Sequence, residues 1–187
     1  MKQFSISKTF ELCYGHRVHN QTLNGEFSDN LKCACRHFHG HQGTVIVHLQ
    51  SDTLTNGMVT DLRHTEWLKR FIDEYIDHQF VIDINDPLYP KHVGTDKVLV
   101  PVYIPGHNVV AGRNIDLSVI DPLDPEYEFL EGIFVVDFVP TSENLSKWIA
   151  EIVDIKMSSL NVSVSHVEWY ETPKSRAIYY SPTITEI

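Results

Sequence analysis

The 187 residues fit a single domain, and 15 basic against 25 acidic residues give a net charge of −10, which excludes a general electrostatic attraction to nucleic acid or anionic lipid. No apolar run approaches the ~20 residues of a membrane helix, and the first four residues lack the apolar stretch of a signal peptide. Three cysteines are too few for a disulfide framework, so we expect a reduced, cytoplasmic protein. We also expect one domain over residues 1–187, without nucleic-acid or membrane partners.

The N-terminal part of the chain predicts two strands and a helix. Apolar and polar residues alternate over residues 4–14, the period of a half-buried strand, and the Val- and Ile-rich run at 44–49 predicts a second strand. After the turn pair Asn56-Gly57, either Thr60 or Asp61 can cap a helix. The apolar positions of that helix share one face: Leu62, Trp67, Leu68, Phe71, Ile72, Tyr75 and Ile76.

The stretch from about 84 to 131 differs from its surroundings. It holds six of the nine prolines and several turn pairs, interrupted by a strand-like run at residues 97–104. Long structureless loops are rare inside compact domains. We therefore interpret its central part, about residues 91–126, as an elaborated insertion.

The C-terminal part predicts a strand at residues 133–139, a second helix opened by Thr141, and two further strands at 161–171 and 177–180. The apolar residues of the helix follow the spacing i, i+3, i+4, i+7, i+8: Leu145, Trp148, Ile149, Ile152 and Val153. The order of elements predicts an α+β fold in which an antiparallel sheet carries two helices on one face.

Histidines are concentrated early in the chain. His39 and His41 run into a strand, where alternate side chains point the same way, so both imidazoles can bind one ion. His16, at the end of the first predicted strand, can supply a third ligand. Three imidazoles with an open fourth position are typical of catalytic zinc. A lone histidine is more often an ordinary surface residue, but the His-Gly-His pair with an upstream strand histidine favours a metal site.

Other candidates are weaker when taken one at a time. Cys35 closely precedes the His-Gly-His motif, and a thiol beside a cation is suited to act as a base or nucleophile, although Cys33 competes for the role. In Asp77-His78, the carboxylate can orient the imidazole, but such pairs at helix ends are usually solvated. Glu171 ends a predicted strand and would by itself be an ordinary acid.

Together these residues form a series of motifs: Leu12-x3-His16-Arg17, Cys35-x3-His39-Gly40-His41, Gly57-Met58-Val59-x-Asp61, Asp77-His78, Pro140-Thr141-Ser142-Glu143-Asn144-Leu145 and Glu171-Thr172. In order and spacing the series resembles the 6-pyruvoyl-tetrahydropterin synthase superfamily. The gap between Cys35 and His39 is most similar to its 6-carboxy-tetrahydropterin synthase branch, which serves 7-deazaguanine (queuosine-type) biosynthesis. One departure is Leu12-Cys13-Tyr14-Gly15-His16, where the family usually has Phe-x-Ala-Ala-His.

The resemblance implies a tunnelling fold, namely a four-stranded antiparallel sheet with two helices, assembled into trimers and then a hexamer with active sites between subunits. It also implies a role for each candidate: His16, His39 and His41 would hold Zn2+, Cys35 would be the base, Asp77 and His78 would relay protons, Glu171 would anchor the pterin ring, and Thr141 and Ser142 would frame its pocket.

The implied activity is that of a zinc-dependent lyase that converts 7,8-dihydroneopterin triphosphate to 6-carboxy-tetrahydropterin, acetaldehyde and triphosphate. Formation of 6-pyruvoyl-tetrahydropterin needs the same residues and is the alternative activity. A rival from another class is a non-enzymatic zinc-stabilised binding domain, in which Cys33, Cys35, His39 and His41 close a four-ligand site. A third reading, a pterin-binding fold without activity, is disfavoured because the candidate catalytic residues occur together.

Overall fold

The computed structural model describes residues 3–182, and within them the chain forms eight strands and four α-helices. The strands are β1 (Phe4–His16), β2 (His39–Ser51), β3 (Gln79–Asp83), β4 (Leu99–Tyr103), β5 (Val110–Ile115), β6 (Ile133–Val136), β7 (Ser163–Thr172) and β8 (Ser175–Tyr180). The helices are α1 (Glu66–Tyr75), α2 (Tyr89–His92), α3 (Pro125–Glu131) and α4 (Ser142–Met157). None of the helices in this part of the chain has the length and apolar character needed to cross a membrane.

The strands form one sheet in the order β4-β5-β6-β3-β1-β2-β7-β8. β1 and β2 pair antiparallel along their whole length, from Phe4 opposite Ser51 to His16 opposite His39. β7 pairs antiparallel with β2, and β8 with β7. The α+β class is confirmed, and β1, β2, β7 and β8 make the antiparallel sheet that the sequence predicts.

The prediction of a four-stranded sheet is wrong, because four more strands continue it beyond β1. β3 pairs parallel with β1 only at Tyr14 and Gly15, and β6 then pairs parallel with β3. β4 and β5 form a hairpin in the region read as an insertion, and β5 pairs with β6. That region therefore extends the sheet. β6 lies within the strand predicted at residues 133–139, whereas β3, buried at its last three residues, lacks the alternation that reveals a half-buried strand.

The larger core lies between the sheet and helices α1 and α4. Inward residues of β1, β2 and β7 pack there against both helices, and the rings of Phe71 on α1 and Trp148 on α4 lie 5.9 Å apart. The two helices thus share one face, as expected. Thr141 caps α4 by accepting a hydrogen bond from the Asn144 N–H at 3.3 Å. Asp61 caps a 3-10 turn, Leu62–Thr65, after which α1 begins.

A second core lies on the other face of β3 and β6. Its members alternate along these strands with residues of the larger core, as Ile82 does with Val81 and Val135 with Phe134. Tyr89 on α2 and Leu130 on α3 pack onto this face. Helices α2 and α3 therefore bury the side of the sheet that is opposite α1 and α4.

Candidate metal centre and active site

Three histidines meet at the ends of β1 and β2. His16 lies directly opposite His39 in the antiparallel register, and His41 follows two residues later on the same face of β2. One ring nitrogen of each residue lies within 4.8 Å of the others. The ring centroids are 4.5 to 5.1 Å apart. The structure thus brings together the three residues that the sequence suggests as metal ligands.

Backbone carbonyls fix the orientation of two of these rings. His16 Nδ1 lies 2.5 Å from the carbonyl oxygen of Pro140, and His39 Nδ1 lies 2.8 Å from that of His37. A carbonyl can only accept, so each Nδ1 carries the proton and each Nε2 presents its lone pair. Hydrogen bonds of this kind orient histidine ligands in metal sites. His37 takes part through its backbone carbonyl.

The donor atoms fit a metal ion. Nε2 of His16 and Nε2 of His41 are buried, and neither has a hydrogen-bond partner. A buried polar atom without a partner is costly, and most such atoms in proteins are satisfied by a protein group, water or an ion. A divalent cation between the three rings would satisfy both nitrogens, and its fourth position would stay open to another ligand.

Burial also favours the neutral form of two of these histidines, His16 and His41. His16 is only 1% exposed, and this burial, together with the neighbouring His39 and His41, lowers its pKa to about 4, although the Pro140 carbonyl and Glu171 oppose the shift. The pKa of His41 is lowered as well, again mainly by burial. Neutral imidazoles are the form that binds metals, so protons compete weakly for this site at pH 7.

The lowered pKa of His16 predicts a pH-dependent stability for the metal-free protein. In the unfolded chain His16 titrates near 6.5, and in the folded chain near 4, so the unfolded state binds more protons between these values. The free energy of unfolding should therefore fall by about 3 kcal/mol as the pH is lowered from 7 to 4. Urea titrations of chelator-treated protein would measure this fall. His16→Gln should flatten the slope, and an unchanged slope would contradict the assignment.

Glu171 lies beside the histidine cluster. Its Oε1 is 3.8 Å from His16 Nε2, and the side chain is about one quarter exposed. Glu171 and His41 both line an open cleft of about 550 Å³. The carboxylate therefore lies close to the histidine cluster and is accessible to a small molecule.

Cys35 lies in a short 3-10 turn, Ala34–Arg36, that precedes β2. Its N–H donates to the Gln21 side-chain carbonyl at 3.1 Å, and its C=O accepts from the Val18 N–H at 2.7 Å. These bonds tie the turn to the loop that follows His16. In the described part of the chain the thiol of Cys35 is half-buried, unpaired with another cysteine, and outside the group of clustered ligand atoms.

Asp77 and His78 are fixed against β1 by backbone bonds. The Cys13 N–H donates to Asp77 Oδ1 at 2.6 Å, and the His78 N–H donates to the Cys13 carbonyl at 2.6 Å. His78 has a positive φ of 60°, and its Nδ1 lies 3.1 Å from Asp77 Oδ2. Partial burial would raise the pKa of Asp77, but the Cys13 N–H and the His78 ring outweigh it and lower this pKa.

An open cleft of about 640 Å³ joins His78 to the metal position. His78, His39 and His41 all line it, whereas Cys35, Asp77 and Glu171 do not. The His78 side chain is 79% exposed and has no contact within the described residues that would fix it besides Asp77. Within one chain, the acid–base candidates therefore lie around the histidines without all facing one cavity.

Thr141 and Ser142 lie at the start of α4, directly after the carbonyl of Pro140 that orients His16. The Thr141 hydroxyl is engaged as the helix cap. The beginning of α4 therefore lies next to the Nδ1 side of the His16 ring. Neither residue is among those lining the two clefts described above.

Several supporting groups escape sequence reasoning. The carbonyls of Pro140 and His37 act through the backbone, which leaves no signature in residue types. Arg17, which follows His16 in the first motif, is buried, and its Nε lies 2.9 Å from Asp86 Oδ2. A buried Arg–Asp pair is found only from the fold, since 69 residues separate the partners.

A second histidine group differs from the first. His48, His166 and Glu168 also have ligand atoms within 4.8 Å of one another, on β2 and β7. The two imidazoles, however, are stacked almost parallel, with an angle of 15°. Glu168 is 2.9 Å from His48 Nε2 and also binds Arg176 at 2.8 Å. Its carboxylate is thus already paired, and the rings do not converge on one point as ligands of a metal must.

Known proteins are similar to this chain in sequence and in fold. A family model described as 6-pyruvoyl tetrahydropterin synthase matches residues 5–182. The chain is 29% identical over 187 residues to the 6-carboxy-5,6,7,8-tetrahydropterin synthase of Aquifex aeolicus, an alignment that covers 95% of this chain and 98% of the relative.

Solved structures extend the comparison. An uncharacterized protein from Wolinella succinogenes is 46% identical, with a TM-score of 0.88 over 96% of this chain and 98% of that one. The 6-pyruvoyl tetrahydropterin synthase of Caenorhabditis elegans is 18% identical and has a TM-score of 0.54 over 96% of both chains, which shows a likeness in fold. The resemblance read from the sequence motifs is confirmed, and the chain belongs to the 6-pyruvoyl tetrahydropterin synthase family.

Proposed function

We propose that the protein is a zinc-dependent lyase that converts 7,8-dihydroneopterin triphosphate and one water molecule to 6-carboxy-tetrahydropterin, acetaldehyde and triphosphate, in 7-deazaguanine (queuosine-type) biosynthesis. The observation that carries the proposal is the cluster of His16, His39 and His41, whose two unpartnered Nε2 atoms call for a cation, with Glu171 at its side. The relative from Aquifex aeolicus is named for the same product. Both the donor set and the similarity thus support this activity.

His16, His39 and His41 would hold the zinc ion. Imidazole is a common ligand for zinc, and sites with three protein ligands and an open position are typical of catalysis. When bound, zinc polarises the hydroxyls of the substrate side chain and so acidifies the neighbouring C–H and O–H bonds. The Pro140 and His37 carbonyls keep His16 and His39 in the tautomer that presents Nε2 to this position.

The other candidates would bind the substrate and move its protons. Cys35 would remove a proton from the substrate side chain, and His78, oriented by Asp77, would take up or return protons at the leaving group. Glu171 would accept two hydrogen bonds from the 2-amino group and the ring N–H of the pterin. Thr141 and Ser142 would frame the pterin pocket from the start of α4.

We further propose that the protein is a homo-oligomer built from trimers, most simply a hexamer, with residues of adjoining copies completing each site. In the described residues, β1 pairs with β3 only near its end, so the edge of β1 before Tyr14 is open. β8 is an outer strand of the sheet, at the end opposite β4. Two open strand edges are suited to pairing between copies in a closed ring.

A second product stays a candidate because the matching family model carries the name of 6-pyruvoyl tetrahydropterin synthase. Incubation with 7,8-dihydroneopterin triphosphate, followed by identification of the pterin by mass, distinguishes the two. A 6-carboxy product with acetaldehyde supports the first proposal, and a 6-pyruvoyl product supports the second. Absence of any conversion by zinc-loaded protein would contradict both, and would favour the non-enzymatic zinc-binding domain.

Glu171 provides a test of the pterin pocket. A carboxylate can accept both hydrogen bonds from the pterin, Gln presents one acceptor, and Ala presents none. Removing such bonds to a desolvated ligand costs about 2 kcal/mol or more, so Glu171→Ala should weaken pterin binding at least about tenfold. Glu171→Gln should lie between this variant and the unmodified protein, and zinc content should be unchanged in both. Calorimetric titration with sepiapterin measures the effect. Equal dissociation constants in all three proteins would contradict the role of Glu171 as the pterin anchor.

A further inference from the structure

Tyr14 occupies a position where the family motif has a small alanine. It lies two residues before His16 on the same face of β1, and it is buried. Its ring centroid lies 5.2 Å from that of His16 and 5.8 Å from that of His41. The tyrosine ring therefore packs directly against two of the three clustered histidines.

A glycine lets this ring reach across the sheet. β2 lies between β1 and β7, so a side chain of β1 can contact β7 only by passing over β2. At Gly43 of β2, a Cβ atom would lie 3.1 Å from Tyr14 Cε1 and 3.0 Å from the Tyr170 carbonyl oxygen. Both distances are shorter than most Cβ contacts, so a side chain at this position would require its neighbours to shift. The missing side chain thus leaves the space that Tyr14 occupies.

On β7 the tyrosine meets Trp169. Trp169 Nε1 donates to the Tyr14 hydroxyl oxygen at 2.9 Å, and the two rings meet edge to face with centroids 5.3 Å apart. Trp169 is 0% exposed, so its N–H has no access to water. A buried donor of this kind needs its partner, and the bond therefore ties the metal-binding strand β1 to β7.

Glu171 is not part of the regular backbone pairing of β7 with either neighbouring strand. The ladder with β2 ends at Tyr170 opposite Thr44. The ladder with β8 shifts register between Tyr170 and Thr172, so it skips Glu171. Neither neighbouring strand fixes the backbone of Glu171 by regular pairing. Its distance to His16 depends on how the residues just before it are held.

We propose that Tyr14 is a positioning residue. Through its hydrogen bond to Trp169 it holds the end of β7, and with it the Glu171 carboxylate, at a set distance from the histidine cluster. A pterin ring bound to Glu171 is then placed so that its side chain reaches the metal position. This inference rests on the proposed function, because it takes Glu171 as the pterin anchor.

Tyr14→Phe tests the inference, because it keeps the ring against the histidines and removes only the acceptor of the Trp169 N–H. We expect the dissociation constant for sepiapterin and the KM for the triphosphate substrate to rise about fivefold to tenfold. The zinc affinity and kcat should stay within about twofold of the unmodified protein. A change in KM without a change in kcat separates a positioning role from a general loss of structure.

Trp148→Phe is the matched control. Trp148 Nε1 donates to the Ala111 carbonyl at 2.8 Å in the same core, on the side of α4 that faces the β4–β5 hairpin. Both variants lose one buried bond of an indole N–H, so both should lower the melting temperature by a similar amount. Only Tyr14→Phe should weaken pterin binding. An equal effect of the two variants on pterin binding would overturn the inference.

Crystal structures of the two variants test the placement without any ligand. In Tyr14→Phe the Glu171 carboxylate should move away from His16, and in Trp148→Phe it should not. A Glu171 that keeps its position in Tyr14→Phe would overturn the inference, even if pterin binding changed. If the unmodified protein binds no pterin, the proposed function fails, and the crystal structures still decide whether Tyr14 positions Glu171.

Discussion

Replacing His39 with alanine is expected to remove zinc and activity together while leaving a folded protein. His39 is only partly buried and lies at the first residue of β2, so its loss creates no large cavity in the core. Losing one of three protein ligands should lower zinc affinity by more than about a hundredfold, since even supporting groups of metal ligands contribute about 10–100-fold. Elemental analysis after purification, circular dichroism and turnover measure the three quantities.

The matched control is His166→Ala, which removes a histidine from the other cluster on the same sheet. Its ring is stacked on His48 and does not converge with it on a common point, so zinc content and activity should stay close to those of the unmodified protein. Full zinc occupancy in His39→Ala would contradict the assignment of the metal site, and would direct attention to the His37 imidazole. Loss of zinc in His166→Ala would instead show that the second cluster also binds metal.

The antiparallel half of the fold was predictable because its residues carry strong local signals. Inward and outward residues alternate along β1, as from Phe10 to Cys13, and the apolar stripe of α4 follows a helical period without interruption. Thr141 was predictable as the cap of that helix because its hydroxyl can satisfy a free N–H of the first turn.

The parallel half of the sheet was not predictable in the same way. β6 lies within the strand predicted at residues 133–139, but nothing in its sequence indicates parallel pairing with β3. β3, which is buried at its last three residues, was not predicted as a strand because it lacks a period-2 alternation. The inserted hairpin became part of the sheet only because β5 pairs with β6, which is a contact between segments that local patterns do not connect.

In the candidate site, residue types indicated the three clustered histidines but not the groups that support them. His16, His39 and His41 could be selected because strand periodicity places alternate side chains on one face. The Pro140 carbonyl that orients His16 is a backbone atom, and the bond from Trp169 to Tyr14 spans 155 positions of the chain. Such contacts arise from the order of strands in the sheet, and they cannot be predicted from local patterns in a single sequence.

Cys35→Ala is expected to retain zinc and pterin binding but to lose most of the turnover. The thiol is outside the group of clustered ligand atoms, and it is only half-buried, so its removal should spare both the metal site and the fold. A positioned acid or base contributes about 10²–10⁴-fold to the rate, and kcat should fall within that range. Turnover at saturating substrate, zinc content and sepiapterin binding should be measured on the same preparation.

The two other cysteines make this prediction specific. Cys33 Sγ donates a weak hydrogen bond to the Leu31 carbonyl at 3.7 Å, and Cys33→Ala should be nearly silent. Cys13 is exposed and lines the same cleft as His78, so its thiol is an alternative candidate for the base. If Cys13→Ala abolished turnover and Cys35→Ala did not, the base would be Cys13. The spacing between Cys35 and His39 would then no longer support the 6-carboxy product.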